Sequence, residues 1–419
     1  MIDPRLLTDD PDRVAAALAR RGVDASMLAV LTDLDVRRRA SIAAVDSARS
    51  EQRTASQAIG RADPADRPAL IARAADLKAA VTAAEAELAD AEAAHLAAFA
   101  RVPNLPHPDA PDGVEGDGVV LRTIGQRPSF DFTPRDHVEL LEAADAIDLA
   151  RGAKVSGARF AYLKGQGALL ELALVRYAID VAVAHGHVPV IPPVLVREEA
   201  MYGTGFLPTD AQQLFTTRDD EYYLVGTAEV PLAALHLDEL LDADDLPLRY
   251  VGYSPCFRRE AGAHGKDTRG ILRVHQFEKV ELFSFVHPDD SDAEHERILS
   301  IEQEVFAGLG IHAQVVDIPV GDLGASAARK FDLEAWMPGQ DAYREVTSCS
   351  NTTDYQARRL KARVRAEGGS ILVHTLNGTA LAVQRAIIAL VEQHQRADGT
   401  VDVPERLQPY LGTERLFAD

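Results

Sequence analysis

Two stretches near the start of the chain leave little freedom in what it can build. Residues 34–60 and 67–100 are dense in Ala, Arg and Glu, and their one glycine and one proline, Gly60 and Pro68, sit at the ends. Side chains with strong helix propensity over such lengths predict two long helices. In the second, Leu70, Ala74, Leu77, Val81, Ala84, Leu88, Ala91 and His95 recur at alternating spacings of four and three, the seam of a coiled coil. The first carries a weaker seam at Ile42, Val45, Arg49, Gln52, Ser56 and Ile59. Between them Gly60, Pro64 and Pro68 end one helix and start the next. The expected product is an antiparallel helical hairpin roughly 50 Å long at about 1.5 Å per residue. A globular body of ordinary size would not cover it, so residues 1–103 are expected to form a protruding arm.

Charge is divided unevenly along that arm. The chain carries a net charge of -21, yet the first helix holds Arg37, Arg38, Arg39, Arg49, Arg53 and Arg61 against only Asp35, Asp46 and Glu51. A phosphate backbone would suit such a face. An ordinary solvated coiled-coil surface would account for it equally well.

The remaining composition narrows the class. At 419 residues the chain exceeds the size at which single cores stop growing, about 250 to 300 residues, so two domains are expected. Cys256 and Cys349 are the only cysteines, too few for a disulfide framework or a cysteine-rich zinc site, which fits a reducing cytoplasm. The opening MIDPRLLTDDPDRV is acidic where a signal peptide would be basic and then apolar. Apolar runs are broken by His and Pro well short of about 20 residues, so no membrane span is expected.

A segment dense in Pro, Gly and Asp, RVPNLPHPDAPDGVEGDG, reads as a linker, placed at 104–118 ahead of a second domain over 119–419. There the pattern mixes helix and strand. Helices are predicted over 135–149, 167–185, 294–309 and 380–394, the second with Leu169, Leu172, Val175 and Ile179 on one face. Strands are predicted near 222–225, 248–253, 313–318 and 343–350. HVPVIPPVLV reads as an extended strand that its prolines confine to an edge or an interface. Hairpin-joined strands interrupted by helices predict an α+β fold on an antiparallel sheet flanked by helices. Its centre is a hairpin in which VGYSPCFRRE runs up and ILRVHQFEKVEL returns. Period-two alternation puts Arg273, His275, Phe277, Lys279 and Glu281 on one face of the return strand, with Arg258 and Glu260 beside them. A face so charged suits the floor of a site better than a core.

These motifs resemble those of class II aminoacyl-tRNA synthetases, and specifically the bacterial-type seryl-tRNA synthetase family, across essentially the whole chain. GHVPVIPP resembles motif 1, FRRE with the downstream HQFEKVE resembles motif 2, and NGTALAVQR resembles motif 3. FRRE alone would be weak; its combination with VGTAEVPL, EVTSCSN and the long arm is highly specific. The resemblance implies a homodimer built on motif 1, with ATP and Mg2+ used to activate L-serine for tRNA(Ser), and for tRNA(Sec) where the host has one. It implies no zinc, since no site can be assembled from the two cysteines.

Roles follow residue by residue. A planar guanidinium at Arg258 would bridge the attacking carboxylate and the α-phosphate, and Arg385 would hold the γ-phosphate. Both are the implied catalytic residues. The implied ATP site also takes Arg259, Glu260, Arg273, Val274, Phe277, Glu345, Val346, Thr347 and Ser348. Phe277 would stack on adenine and Glu260 would accept from its amino group. Glu345 and Ser348 are implied as Mg2+ ligands, which suits a hard cation. The implied serine site is Thr227, Ala228, Glu229, Arg258, Glu281, Asn377 and Thr379. Glu229 and Glu281 face the ammonium, while Asn377 and Thr379 read the hydroxyl with Glu281. Arg37, Arg38, Arg49 and Arg53 on the arm, with Lys266 and Arg269 in the hairpin loop, are the implied tRNA contacts. His264 and His275 are given no catalytic role. The chain departs from many relatives at Ala380 and Gln384, where glycines are usual, and at Thr347, where Ser is usual. Those departures leave open a duplicated copy attached to a biosynthetic or self-resistance pathway.

Overall fold

A computed structural model describes residues 1–262, 265 and 267–418. The chain divides into two compact units, residues 2–103 and a second comprising residue 1 with 104–419.

The first unit is dominated by helices α1 (Ala25–Arg61) and α2 (Arg67–Phe99). The Asp24 carboxylate caps α1 by accepting from the Ser26 amide, and proline begins α2 where no amide donor is needed. Val45, Ala55, Val81, Ala91, His95 and Phe99 form buried points of the seam. The second helix follows the expected seam. In the first, Ala55 is buried where Ser56 was expected, and Arg49 lies exposed at the flank, paired with Glu85 at 2.8 Å.

The second unit is built on an eight-stranded sheet. Its strands are β1 (Val119–Ile124), β2 (Val188–Val190), β3 (Leu248–Phe257), β4 (Gln276–Val286), β5 (Ala313–Asp317), β6 (Arg329–Met337), β7 (Ala342–Asn351) and β8 (His374–Ala382). Their spatial order is β1-β5-β6-β7-β8-β4-β3-β2. Every pairing is antiparallel except β2 with β3, which puts the proline-bearing strand at an edge, as its missing amides require. Helices α3 (Gln166–Ala184), α4 (Ser291–Gly308) and α5 (Val383–Gln393) pack on the sheet. Val280, Leu282, Phe283, Phe285 and Val286 make β4 a buried central strand. Each such side chain contributes about 1.5 to 3 kcal/mol of burial.

Several boundaries differ from the sequence reading. The helix expected over 135–149 is two, His137–Ala143 and Leu149–Ser156; between them Asp145 takes a positive φ and Ile147–Asp148 pairs with Tyr162–Leu163. Strand β4 begins at Gln276 and not at residue 271, because the ladder with β3 ends at the Gln276–Phe257 pair. The last helix begins at Val383, since Ala380–Ala382 completes β8. In α3, Leu169 and Leu172 face outward at 58% and 59% exposure, while Leu170, Leu174 and Tyr177 turn to the core.

Two β-bulges shape the site side of the sheet. The register of β6 against β7 jumps between Leu333–Thr347 and Glu334–Glu345, leaving Val346 as an extra residue. That of β4 against β8 jumps between Val280–Leu381 and Glu281–Thr379, leaving Ala380 extra. Residues three apart on a regular strand face opposite ways. The bulge at Val346 resets that parity and turns Glu345 and Ser348 toward one cavity.

Candidate active site

The central strands and the start of α5 enclose a cavity of about 280 Å³. Its walls bring together Arg258, Glu260, Arg273, Val274, Phe277, Glu345, Val346, Thr347, Ser348, Thr379 and Arg385, all singled out by sequence. Ile271, Leu272, Lys279, Lys330, Ala382 and Gln384 complete the lining. Arg259 is exposed and does not line it.

Arg258 leaves strand β3 just past its last pair and is fixed by its backbone. Its amide donates to the His275 carbonyl at 3.0 Å, and His275 Nδ1 lies 2.9 Å from the Arg258 carbonyl oxygen. Its Nε donates to the Gly226 carbonyl at 3.2 Å, and its guanidinium stands 5.3 Å from the Phe277 ring centroid. Among the described residues no carboxylate lies within ion-pair distance of it, although Glu345, Asp210, Glu229 and Glu281 all feel its charge. Glu260 has a positive φ of 50° and accepts from Arg273 Nη1 at 2.6 Å. Arg273 also reaches Asp267 at 3.4 Å, and Asp267 pairs with Arg344. The return of the loop is set by Gly270, at φ 76°, where a Cβ would meet His137 Nε2 at 2.0 Å. That ring in turn accepts from the Ile271 amide at 3.3 Å, so no side chain fits there.

Opposite, Arg385 donates from Nη1 to the Glu345 carbonyl at 2.8 Å and sits 3.2 Å from Glu345 Oε1. Burial pushes the Glu345 carboxyl up, but Arg385, Lys330 and Arg258 outweigh it and hold the group down at about 2. The carboxylate is therefore ionised at any physiological pH, and its side chain is 44% exposed toward the cavity. Lys330, to which the sequence reading gives no role, is the third cation acting on Glu345. Burial would lower its pKa, yet Asp332 at 3.0 Å and Glu345 raise it, so it stays charged. The alternation Phe331, Leu333, Ala335, Met337 marks this strand in the sequence and could have placed Lys330 on the opposite, polar face.

Behind the cavity lies a buried polar cluster. Glu229 accepts at Oε1 from Gln356 Nε2 at 2.7 Å and from Asn377 Nδ2 at 3.0 Å, and its amide donates to Thr227 Oγ1 at 3.1 Å. Glu281 is the cross-strand partner of Thr379 and lies 2.5 Å from Lys279 Nζ. Burial pushes Glu281 up to about 7 against the pull of Lys279, with Glu229 adding to the rise. Burial also raises Glu229. Two carboxyl groups held this reluctantly would be stabilised in their ionised form by an incoming ammonium. Ala228 is buried beside them. Lys279 stands on the charged face that alternation predicts with Phe277 and Glu281, although the sequence gives it no role, and Gln356 carries no sequence signal.

The implied nucleic-acid contacts are more scattered. Arg37 and Arg53 are exposed on α1 and Arg49 pairs with Glu85, whereas Arg38 turns back to the buried Asp35 at 3.1 Å. Arg269 pairs with Asp136 at 2.8 Å. Lys266 and His264 lie outside the described residues.

Comparison with known proteins decides the family. Residues 1–106 match the model of the seryl-tRNA synthetase N-terminal domain, and residues 214–394 match the class II tRNA synthetase core domain of the G, H, P, S and T group. The serine–tRNA ligase of Acidothermus cellulolyticus is 54% identical over 416 residues, 99% of each chain. Serine–tRNA ligase 1 of Streptomyces avermitilis is 53% identical over 100% of this chain and 99% of its own. The chain belongs to the seryl-tRNA synthetase family. Solved members share its fold throughout. The seryl-tRNA synthetase of Pyrococcus horikoshii, complexed with ATP, superposes with a TM-score of 0.93 at 39% identity, covering 99% of both chains. The cytoplasmic serine–tRNA ligase of Naegleria fowleri, in complex with AMP, gives 0.88 at 32% identity, covering 99% of this chain and 98% of its own. Among the described residues no helix is long and apolar enough to cross a membrane.

Proposed function

We propose that the chain activates L-serine with ATP and transfers it to tRNA(Ser), and to tRNA(Sec) where the host has one. The observation that carries this reading is a single cavity holding Arg258, Lys330 and Arg385 around the ionised Glu345, in a family member related over its full length to serine–tRNA ligases. In the first step a serine carboxylate oxygen attacks the α-phosphorus, the bond to the bridging oxygen of pyrophosphate breaks, and seryl-adenylate forms. Both reactants are anionic, so cations placed in advance lower the barrier. Arg258 would bridge the two reacting groups and Arg385 would hold the γ-phosphate. Phe277 would stack on adenine, with Arg273, Val274, Val346 and Thr347 around it, while Glu260 would accept from the adenine amino group. In the second step a hydroxyl of the terminal ribose attacks the seryl carbonyl and AMP leaves.

Serine would sit in the buried cluster, its ammonium against Thr227, Glu229 and Glu281 and its hydroxyl read by Glu281, Asn377 and Thr379. Groups built to bond a hydroxyl are left unpaired by alanine or glycine, an exclusion of about ten-thousand-fold. Glu345 and Ser348 fit a Mg2+ ion: both offer hard oxygens to one cavity, Glu345 is ionised, and such ions need few protein ligands. When bound, the ion would neutralise phosphate charge.

The reading extends to three further points. Residues 1–103 form the tRNA-binding arm, through Arg37, Arg38, Arg49 and Arg53, with Lys266 and Arg269 approaching the acceptor end. The chain works as a homodimer, supported by the apolar surface of Leu169 and Leu172 on α3 and of Ile191 just after edge strand β2, the last 88% exposed. Its place of action is the cytoplasm, with its tRNA. Charging of total tRNA with each amino acid in turn tests the proposal. Serine alone is expected to be transferred, and transfer of another amino acid in its place would overturn the reading.

A further inference from the structure

Gln384, one residue before Arg385, takes no part in the roles above, although it is buried and lines the nucleotide cavity. Its amide is used on three sides. Nε2 donates to Glu278 Oε2 at 2.6 Å and to Glu171 Oε2 at 3.2 Å, while Oε1 accepts from the Glu278 backbone amide at 3.0 Å. The last bond stands where sheet pairing stops. The β4–β8 ladder ends at the Lys279–Ala382 pair, because helix α5 begins at Val383, and on the other side Glu278 faces Pro255. The Gln384 carbonyl thus supplies the rung that a helical backbone cannot, for a residue flanked by Phe277 and Lys279. Its nitrogen continues into a second cavity of about 400 Å³, where it meets Glu171 of α3.

We infer that Gln384 is a positioning residue, an amide clamp that ties the first turn of α5 to β4 and α3 and thereby sets where Arg385 and Phe277 stand around the nucleotide. This rests on the reading of the first cavity as the ATP site. An alanine makes none of the three bonds. A carboxylate there would keep the acceptor and set a third negative group against the other two.

The clamp carries its own titration. The titratable groups facing Glu171 are Glu278 of β4, Tyr253 of β3 and Tyr162 at the cavity wall, and among the described residues the lining of that cavity includes no cation. Burial, with Glu278 adding to it, pushes Glu171 up to about 7 from an ordinary 4.5. As Glu171 ionises above that pH, its repulsion with Glu278 works against the amide that joins them. Nucleotide binding should therefore weaken as pH rises through about 7.

Calorimetric titration of ATP into the full chain at pH 6 and pH 8.5 reads the clamp directly, whichever amino acid the enzyme uses. Gln384→Ala is expected to weaken ATP binding about tenfold, the scale of one or two lost hydrogen bonds. In pyrophosphate exchange it should raise KM for ATP by a similar factor and change kcat less than about twofold. In the unaltered chain ATP binding should be about threefold weaker at the higher pH, and Glu171→Gln should remove that difference. ATP affinity within twofold of the unaltered chain for Gln384→Ala would overturn the inference, as would a Glu171→Gln profile that still falls with pH. If Gln384→Ala does not fold, the Glu171→Gln profile decides alone. Failure of serine to support exchange, with ATP binding behaving as stated, would count against serine as substrate and not against the clamp.

Discussion

Arg258 shows how much a single side chain depends on what holds it. Its backbone is locked by the reciprocal contacts with His275, its Nε is taken by Gly226, and what remains is a guanidinium edge beside Phe277. A cation fixed in advance loses little on meeting a developing charge, which is why such groups act on the barrier more than on binding. Arg258→Ala is expected to lower the rate of seryl-adenylate formation by about a hundred-fold or more, measured in single-turnover experiments. A rate within a few-fold of the unaltered chain would remove Arg258 from the bridging role. Residue identities of this kind were legible in the sequence because FRRE, EVTS and NGTALAVQR are distinctive strings. Lys330 was not, because a lone lysine acquires meaning only when the sheet sets it beside Glu345.

At the scale of elements, the same contrast holds. The helices of the arm were readable because propensity, breakers and seam all agreed, and the coiled-coil burial of α2 follows its heptad positions. The sequence reading leaves out strands β6 and β8 and predicts helix over the end of β8, because Ala380, Leu381 and Ala382 suit either state and tertiary pairing decides. The bulges were invisible to simple alternation. Yet without the one at Val346 the pairing of Glu345 with Ser348 makes no geometric sense. The arm also offers the sharpest test of division of labour. The chain splits into two compact units at residues 103–104, so removal of residues 34–100 should leave the catalytic unit folded. That deletion is expected to abolish charging of tRNA while serine-dependent pyrophosphate exchange stays within a few-fold. Loss of both would make the arm structural for the catalytic unit.

For the whole molecule, a net charge of -21 keeps anionic partners away except where cations are gathered. The proposed nucleotide cavity is such a place, with Arg258, Arg273, Lys279, Lys330 and Arg385 set against Glu260 and Glu345, and the exposed arginines of α1 are another. The buried acids Glu229 and Glu281, both raised by burial, would do the converse on the proposed reading and favour a cation. On the proposed function two chambers of opposite preference share one reaction centre, the first for a nucleotide and the second for the ammonium and hydroxyl of one amino acid. The measurement that tests it most directly is amino-acid-dependent exchange of labelled pyrophosphate into ATP by the purified chain. Serine is predicted to support exchange, with alanine and glycine lower by about ten-thousand-fold, the scale set by hydroxyl-reading groups left without a partner. Exchange supported equally by alanine, or absent with serine, would contradict it.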